Sequence, residues 1–148
     1  MGLLKRKTPE ERAAAKAEKE ARSAESRAKW DAARQERQRE KQDHRAARLD
    51  KIKATLQPDE TVEADFRTAE NIMKKDVVFT SKRLLIAPVQ GTDFESIPYR
   101  AITGFRTTNF ITRDINIAVS GRSGTVDLLF KDESERDRAL EILNRYAL

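Results

Sequence analysis

Apolar and polar residues follow two different patterns along the chain, and the pattern changes near residue 57. In residues 57–148, short runs rich in Val, Ile, Leu and Phe alternate with polar positions and are separated by Gly, Pro, Asn and Ser. This two-residue alternation between turn residues is typical of β-strands. Residues 1–56 contain no Val or Phe, and their Ala, Leu and Ile residues recur every three to four positions. That spacing is typical of an α-helix.

The first 56 residues predict one long α-helix. Thr8, Pro9 and Glu11 form a helix start, because Pro9 suits the first helical position while Thr8 and Glu11 can form a reciprocal capping box. From Arg12 to Leu56 the chain contains neither Gly nor Pro and is built largely from strong helix formers. We therefore expect the helix to continue to about residue 56.

The apolar stripe of this helix is weak until its last turns. Its first half contains only Ala, its middle is polar, and only Leu49, Ile52 and Leu56 are large. A coiled coil requires large apolar residues at such positions throughout. We favour a solvated helix that is stabilised by charge pairs and docks only at its C-terminal end. Self-association as a coiled coil through the Ala and Gln positions, and a disordered or fraying N-terminal half, remain alternatives.

Residues 57–148 predict strands followed by one closing helix. We expect strands at 61–68, 77–80, 83–87, 94–97, 102–108, 114–119 and 125–130. Asp132 and Glu135 form a second capping box, and an apolar face at helical spacing then extends to Leu148. The predicted fold class is α+β: a seven-stranded antiparallel β-barrel or sandwich closed by a C-terminal α-helix and preceded by a long N-terminal α-helix.

Charge divides the chain at the same place as hydropathy. Residues 1–56 hold 17 Lys and Arg against 10 Asp and Glu, a net charge of +7, whereas residues 57–148 hold 13 against 15, a net charge of −2. All six Phe and both Tyr also lie after residue 57. We therefore expect a charged helical extension at residues 1–56 and one small globular domain at residues 57–148.

Four segments in the second part of the chain resemble a known family. They are, in chain order, LQPDETV at 56–62, FTSKRLLI at 79–86, SIPYRAI at 96–102 and INIAVSG at 115–121. Together they resemble the bacterial pleckstrin-homology (PH) domains over residues 56–148. The resemblance implies a PH fold and a non-enzymatic domain, and ring-shaped homo-oligomers occur among members of that family. The long charged helix departs from the short helical lead-in that is typical of the family.

The residue types present exclude most catalytic and metal chemistry. The chain has no Cys and a single His, His44, which lies on the basic helix without a positioned partner. A thiolate zinc site, an iron–sulfur cluster and a cysteine nucleophile are therefore excluded. The chain contains neither a Walker-type phosphate loop nor a Gly-x-Ser-x-Gly elbow. We expect no enzymatic activity, no catalytic residues, no cofactor and no metal.

The hydropathy profile also bears on the cellular location. No run of the chain approaches the 18 or more consecutive apolar residues of a transmembrane helix. The first seven residues are basic but lack the apolar segment of a secretory signal. We expect a cytoplasmic protein without a transmembrane segment.

Three binding functions remain, and the favoured one is a scaffold or adaptor that binds protein partners and assembles with itself as a homo-oligomer. One alternative is an anionic phospholipid surface bound by Lys74 and Lys75, which precede the second strand. Residues 77–80 supply no basic partner, and the negative net charge of this part of the chain opposes headgroup binding. Peripheral membrane contact is thus the weaker hypothesis.

The other alternative is binding of nucleic acid or another anionic surface by the helix. Its densest basic cluster includes Arg37, Lys41, Arg45 and Arg48. Clustered Lys and Arg attract phosphates, with an affinity that falls as salt rises. Acidic residues interleave with this cluster along the sequence, which favours a helix that balances its own charge. Nucleic acid is therefore not the expected partner.

Overall fold

A computed structural model describes residues 6–70, 73–90, 93–107 and 113–148. Its elements, in chain order, are α1 (Pro9–Ala54), β1 (Val62–Arg67), β2 (Lys75–Thr80), β3 (Arg83–Pro88), β4 (Glu95–Pro98), a 3-10 turn (Tyr99–Ala101), β5 (Ile102–Arg106), β6 (Asp114–Val119), β7 (Thr125–Leu129) and α2 (Glu133–Tyr146). The predicted order of one long helix, seven strands and one closing helix is confirmed. The last residue of the predicted strand 102–108 lies outside the described residues. The chain forms two compact units, Met1–Arg48 and Leu49–Leu148.

Helix α1 begins at the predicted capping box. The Glu11 N–H donates to Thr8 Oγ1 at 3.2 Å, and the Thr8 N–H donates to Glu11 Oε2 at 2.8 Å. Farther along, Arg22 pairs with Glu18 at 2.5 Å one turn away. Every residue from 6 to 44 is exposed in the single chain. Local capping and charge pairs therefore stabilise this part of α1.

The last turns of α1 belong to the second unit and carry apolar packing. Ile52 is only 2% exposed and packs against Val78, Leu85 and Ala87. Leu56 is half-buried beside the same cluster. Because side chains on a strand alternate between faces, this cluster covers the face of β2 and β3 opposite to the main core.

The strands form two antiparallel sheets, ordered β1-β2-β3-β4 and β5-β6-β7. The main core lies between them and contains Phe66, Val77, Phe79, Leu84, Ile86, Ile97, Tyr99, Ile102, Ile115, Ile117, Val126, Leu128 and Phe130, together with Ala139, Ile142 and Leu143 of α2. In the described residues no strand ladder joins the two sheets. One backbone hydrogen bond, from Ala69 N–H to Leu129 O at 2.8 Å, links the end of the first sheet to the second. The architecture is thus a sandwich rather than a closed barrel.

Helix α2 closes one side of the sandwich as predicted. Its N-cap, Asp132, accepts a hydrogen bond from the Glu135 N–H at 2.9 Å. Near its end, the Tyr146 ring stacks on Tyr99 with centroids 5.4 Å apart, and the Tyr146 hydroxyl donates to Glu63 at 2.9 Å. The C-terminal helix is therefore attached to the first sheet by both apolar and polar contacts.

A buried ion pair connects the end of α1 to the β2–β3 hairpin. The Arg83 guanidinium donates to both carboxylate oxygens of Glu60, at 2.9 and 3.1 Å, and also to the Thr55 carbonyl at 3.0 Å. The Thr80 hydroxyl and the Gln57 N–H donate to the same carboxylate. Burial alone would raise the pKa of Glu60, but these hydrogen bonds outweigh it and lower the pKa to about 2.

Truncation of Leu143 tests the position of α2. Leu143 is fully buried, so Leu143→Ala should lower the free energy of unfolding by about 2–5 kcal/mol. Leu148→Ala is the matched control, because Leu148 is 86% exposed, and it should change the free energy by less than about 0.5 kcal/mol. Urea denaturation followed by circular dichroism measures both. Equal effects of the two substitutions would contradict the assigned packing of α2.

Acid titration tests the Glu60–Arg83 pair. The pKa of Glu60 falls from 4.5 in the unfolded chain to about 2 in the folded one. Its contribution to stability is therefore present above pH 4.5 and is lost as the pH falls towards about 2. Glu60→Gln should lower the free energy of unfolding at pH 7 and flatten its decrease between pH 4.5 and 2. At 1.36 kcal/mol per pKa unit, Glu60→Gln should remove at most about 3 kcal/mol of the decrease in the free energy of unfolding between pH 4.5 and 2.

The control for this titration is Glu133→Gln, which replaces an exposed carboxylate at the start of α2. It should keep the pH dependence of the unmodified chain. An unchanged pH dependence in Glu60→Gln would show that the buried pair does not control acid stability.

Candidate functional site

An open cavity of about 530 Å³ lies between β3 and β4 of the first sheet and β7 of the second. Its apolar wall is formed by Ile86, Pro88, Phe94 and Val126. Ile86 and Val126 are buried core residues, whereas Phe94 is 36% exposed and is among the few large apolar side chains with that much solvent contact. The cavity therefore offers apolar surface that the fold itself does not cover.

The β6–β7 turn positions a cation at the rim of this cavity. Gly121 and Gly124 both have positive φ angles, 76° and 82°, which few other residues adopt without strain. The turn directs Arg122 towards Glu95, with which it forms an ion pair between the two sheets. The Gly121–Gly124 segment, a turn between two predicted strands, thus has a structural role and also contributes a charge to the cavity.

Carboxylates outnumber cations around the cavity. Four carboxylates, from Glu70, Asp93, Glu95 and Asp127, face two cations, Lys75 and Arg122, so the lining has a formal net charge of −2.

The hydrogen-bond partners of these carboxylates are largely neutral. Asp127 Oδ1 accepts from the Asn116 side-chain amide at 2.6 Å and from the Thr125 hydroxyl at 2.7 Å. Glu70 accepts from the Thr68 hydroxyl at 2.8 Å. Neutral donors orient these carboxylates but leave their negative charge in place.

The carboxylates are too dispersed to chelate a metal ion. Among the residues that the structure describes, no group of three or more His, Cys, Asp or Glu side chains could hold one. The negative charge is distributed along a wall that also carries apolar side chains. This combination suits an organic cation with an aliphatic part better than a bare ion.

The structure separates the two predicted lipid-binding lysines. Lys75 is half-buried at the start of β2, opposite Pro88, and lines the cavity among its carboxylates. Lys74 is exposed and does not line the cavity. The surrounding carboxylates repel an anionic headgroup, so the surroundings of Lys75 favour a cationic ligand over a phospholipid.

The structure also divides the predicted anion-binding residues of the helix. Arg37 and Lys41 are exposed on α1 and border the same shallow depression as Arg34. Arg45 and Arg48 are half-buried, and the Nε atom of each is shielded from solvent. Of these four residues, only Arg37 and Lys41 are thus fully available to a ligand.

The cavity was not predicted from the sequence. Glu70 follows β1, Asp93 and Glu95 flank the start of β4, and Asp127 lies within β7, so only the strand topology brings them together. The net charge of −2 over residues 57–148 was the one feature of the sequence that indicated an acidic surface in this part of the chain.

Comparison with known proteins bears on the fold. No protein-family model and no curated protein matches the sequence. Among solved structures, the chain is similar to a DUF1696 family protein with a pleckstrin-homology domain from Shewanella loihica PV-4, with 20% identity and a TM-score of 0.55 over 67% of this chain and 89% of that one. It is also similar to a pleckstrin homology domain from Shewanella amazonensis SB2B, with 25% identity and a TM-score of 0.51 over 70% of this chain and 85% of that one.

These similarities concern the architecture of the strands and the closing helix. The resemblance to bacterial PH domains that four sequence segments carry is therefore confirmed at the level of the fold. A separate finding is that no helix in the described ranges is long and apolar enough to cross a membrane.

Proposed function

We propose that this chain, whose globular unit has the pleckstrin-homology fold, is a non-enzymatic adaptor that binds a basic segment of a protein partner and assembles with itself. The observation that carries the proposal is the cavity between the sheets. It is open to solvent, has an apolar wall, and its lining has a formal net charge of −2. The PH fold supports a role in binding rather than in catalysis. The acidic and partly apolar cavity supports a basic protein segment as the partner.

The chemistry of the wall matches a Lys or Arg side chain. The aliphatic stem of such a side chain can pack on Ile86 and Val126 while its charged end reaches Asp93 or Asp127. The partly exposed Phe94 ring can add a cation–π contact to the same group. A neighbouring apolar residue of the partner would cover the rest of the apolar wall.

The cavity lining supports binding rather than catalysis. The part of the lining that the structure describes includes no His, Cys or Ser, and its one hydroxyl, on Thr125, donates to a carboxylate that Asn116 also holds. A nucleophile needs an adjacent base that is free to take its proton. The described lining contains no His that could act as that base for Thr125.

Self-assembly is the second part of the proposal and rests on the resemblance to a family in which ring-shaped oligomers occur. Apolar burial drives such assembly, so the oligomer should survive moderate salt. Light scattering of the full chain at about 0.3 M salt, where exposed charges are largely screened, should give a multiple of the 16.9 kDa chain mass. A monomer at that salt concentration would refute self-assembly and leave the cavity proposal intact.

Charge reversal in the cavity tests the choice of partner. Asp93→Lys should weaken binding of a labelled peptide of alternating Lys and Leu by roughly fivefold or more, because it replaces an attraction with a repulsion at about contact distance. Fluorescence anisotropy measures the dissociation constant. The matched control is Glu133→Lys, which makes the same charge change at an exposed site outside the cavity lining. An acidic peptide of equal length should not bind.

Two results would contradict the proposed partner. An equal loss of affinity for the basic peptide in Asp93→Lys and Glu133→Lys would show that binding depends only on the net charge of the protein. Tighter binding of the acidic peptide than of the basic one would show that the cavity does not select cations.

A further inference from the structure

The charges of α1 are segregated around the helix, although they interleave along the sequence. Residues three, four, seven and eleven positions apart share a face of a helix with 3.6 residues per turn. Basic residues occupy one such line, which we call the cationic stripe: Arg12, Lys16, Lys19, Arg27, Arg34, Arg37 and Lys41. Ser23 and Trp30 fill the two gaps in its spacing. No acidic residue lies on the line itself, although Glu20 and Asp31 flank it.

The acidic residues of α1 lie mainly on the opposite side. Glu18, Glu25 and Glu36 lie more than a quarter turn from the stripe, at helical spacing from one another. Two of them are compensated locally, because Arg22 pairs with Glu18 at 2.5 Å and Lys29 pairs with Glu25 at 3.0 Å. Outside the stripe, residues 9–44 carry three cations, Arg22, Lys29 and Arg39, against nine carboxylates, so the positive charge of this part of α1 is concentrated on the stripe.

The stripe is accessible and carries one large aromatic side chain. Every residue of the stripe is exposed in the single chain. Trp30 lies on the same line between Arg27 and Arg34 and is 68% exposed. Exposure of the large apolar surface of Trp to water is unfavourable, and Trp is enriched at membrane–water interfaces.

The stripe is straight, which limits the shape of its partner. Its average spacing is close to 3.6 residues, so it runs parallel to the helix axis over about 44 Å from Arg12 to Lys41. A straight row of charges touches a flat surface along its whole length. The phosphates of a duplex follow winding ridges and would meet a straight helix over a short section only.

We propose that the cationic stripe is a peripheral docking surface for an anionic phospholipid bilayer, on which α1 lies flat. Each Lys or Arg near such a surface adds a separate electrostatic attraction. The helix has no broad apolar face, so it rests on the headgroups by charge, and Trp30 is the one side chain of the stripe that enters the interface. This site is distinct from the cavity, which selects cations.

Vesicle co-sedimentation of the full chain tests the proposal. The chain should pellet with vesicles that contain about 30% phosphatidylserine at low ionic strength and remain in solution with pure phosphatidylcholine. Trp30 is the only tryptophan of the chain, so its fluorescence should shift to shorter wavelength with the anionic vesicles alone. Raising the salt concentration should release the chain, because screening weakens every contact of the stripe.

A pair of triple variants separates the stripe from general positive charge. Arg27→Gln/Arg34→Gln/Lys41→Gln removes three cations from the stripe and should lower vesicle affinity by roughly 100-fold, at about fivefold for each cation. Arg22→Gln/Lys29→Gln/Arg39→Gln removes the same charge from the other side of α1 and should lower it by less than about tenfold. Gln is a good helix former, so circular dichroism should show unchanged helicity in both. The cavity variant Asp93→Lys should still bind vesicles.

Three results would overturn the proposal. Equal losses in the two triple variants would show that net charge, not the stripe, binds the vesicles. Tighter binding to a duplex oligonucleotide than to phosphatidylserine vesicles, lost in the stripe variant, would assign the stripe to nucleic acid. Failure to bind either probe, together with a fall in oligomer mass in the stripe variant, would assign it to a second copy of this chain.

Discussion

The buried pair of Glu60 and Arg83 joins the segment that follows α1 to the β2–β3 hairpin, beside a more exposed ion pair of Asp59 and Lys82. Arg83 reaches the carbonyl of Thr55 as well as the Glu60 carboxylate, so one guanidinium holds the end of α1 against the β2–β3 hairpin. Substitution of either partner by a neutral residue would leave the other charge unpaired in a buried site, which is strongly destabilising. The arrangement also keeps the last turn of α1 where Ile52 covers the outer face of the first sheet. The sheet is therefore covered on both faces at its centre.

Local signals in the sequence predicted the elements well, and long-range pairing set their ends. Strand β6 occupies the predicted residues 114–119, and the Thr8–Glu11 capping box forms as expected. At the start of α2, Asp132 caps the Glu135 N–H as expected, but the Glu135 side chain accepts from the Lys131 N–H instead of the Asp132 N–H. Strand β2 begins at Lys75 instead of 77, because Lys75 pairs with Pro88 across the hairpin. The cavity could not be predicted, since its carboxylates come from separate segments and meet only after the strands are ordered.

The charge pattern of α1 shows a different limit of sequence analysis. Arg34, Glu36 and Arg37 are near neighbours in the chain, and their order suggests mutual neutralisation. Around a helix, Arg34 and Arg37 share a line, whereas Glu36 lies on another side. The information was present in the sequence, but it depends on the helix being continuous, which the structure shows for Pro9–Ala54. Each compact unit thus has a surface with an excess of one sign, a cationic stripe in the first and a cavity of net charge −2 in the second.

The double coverage of β2 has a consequence for how the protein opens. Residues 76–80 are all buried, with Val77 and Phe79 in the main core and Val78 under Ile52 on the other face. Each amide in this strand donates to one neighbour, and successive residues alternate between β1 and β3. Amides that face the edge strand β1 can exchange when β1 frays. Amides that face β3 exchange only when the covered centre of the sheet separates, so they report global unfolding of the unit, whereas exchange in residues 9–44 reports the solvated helix alone.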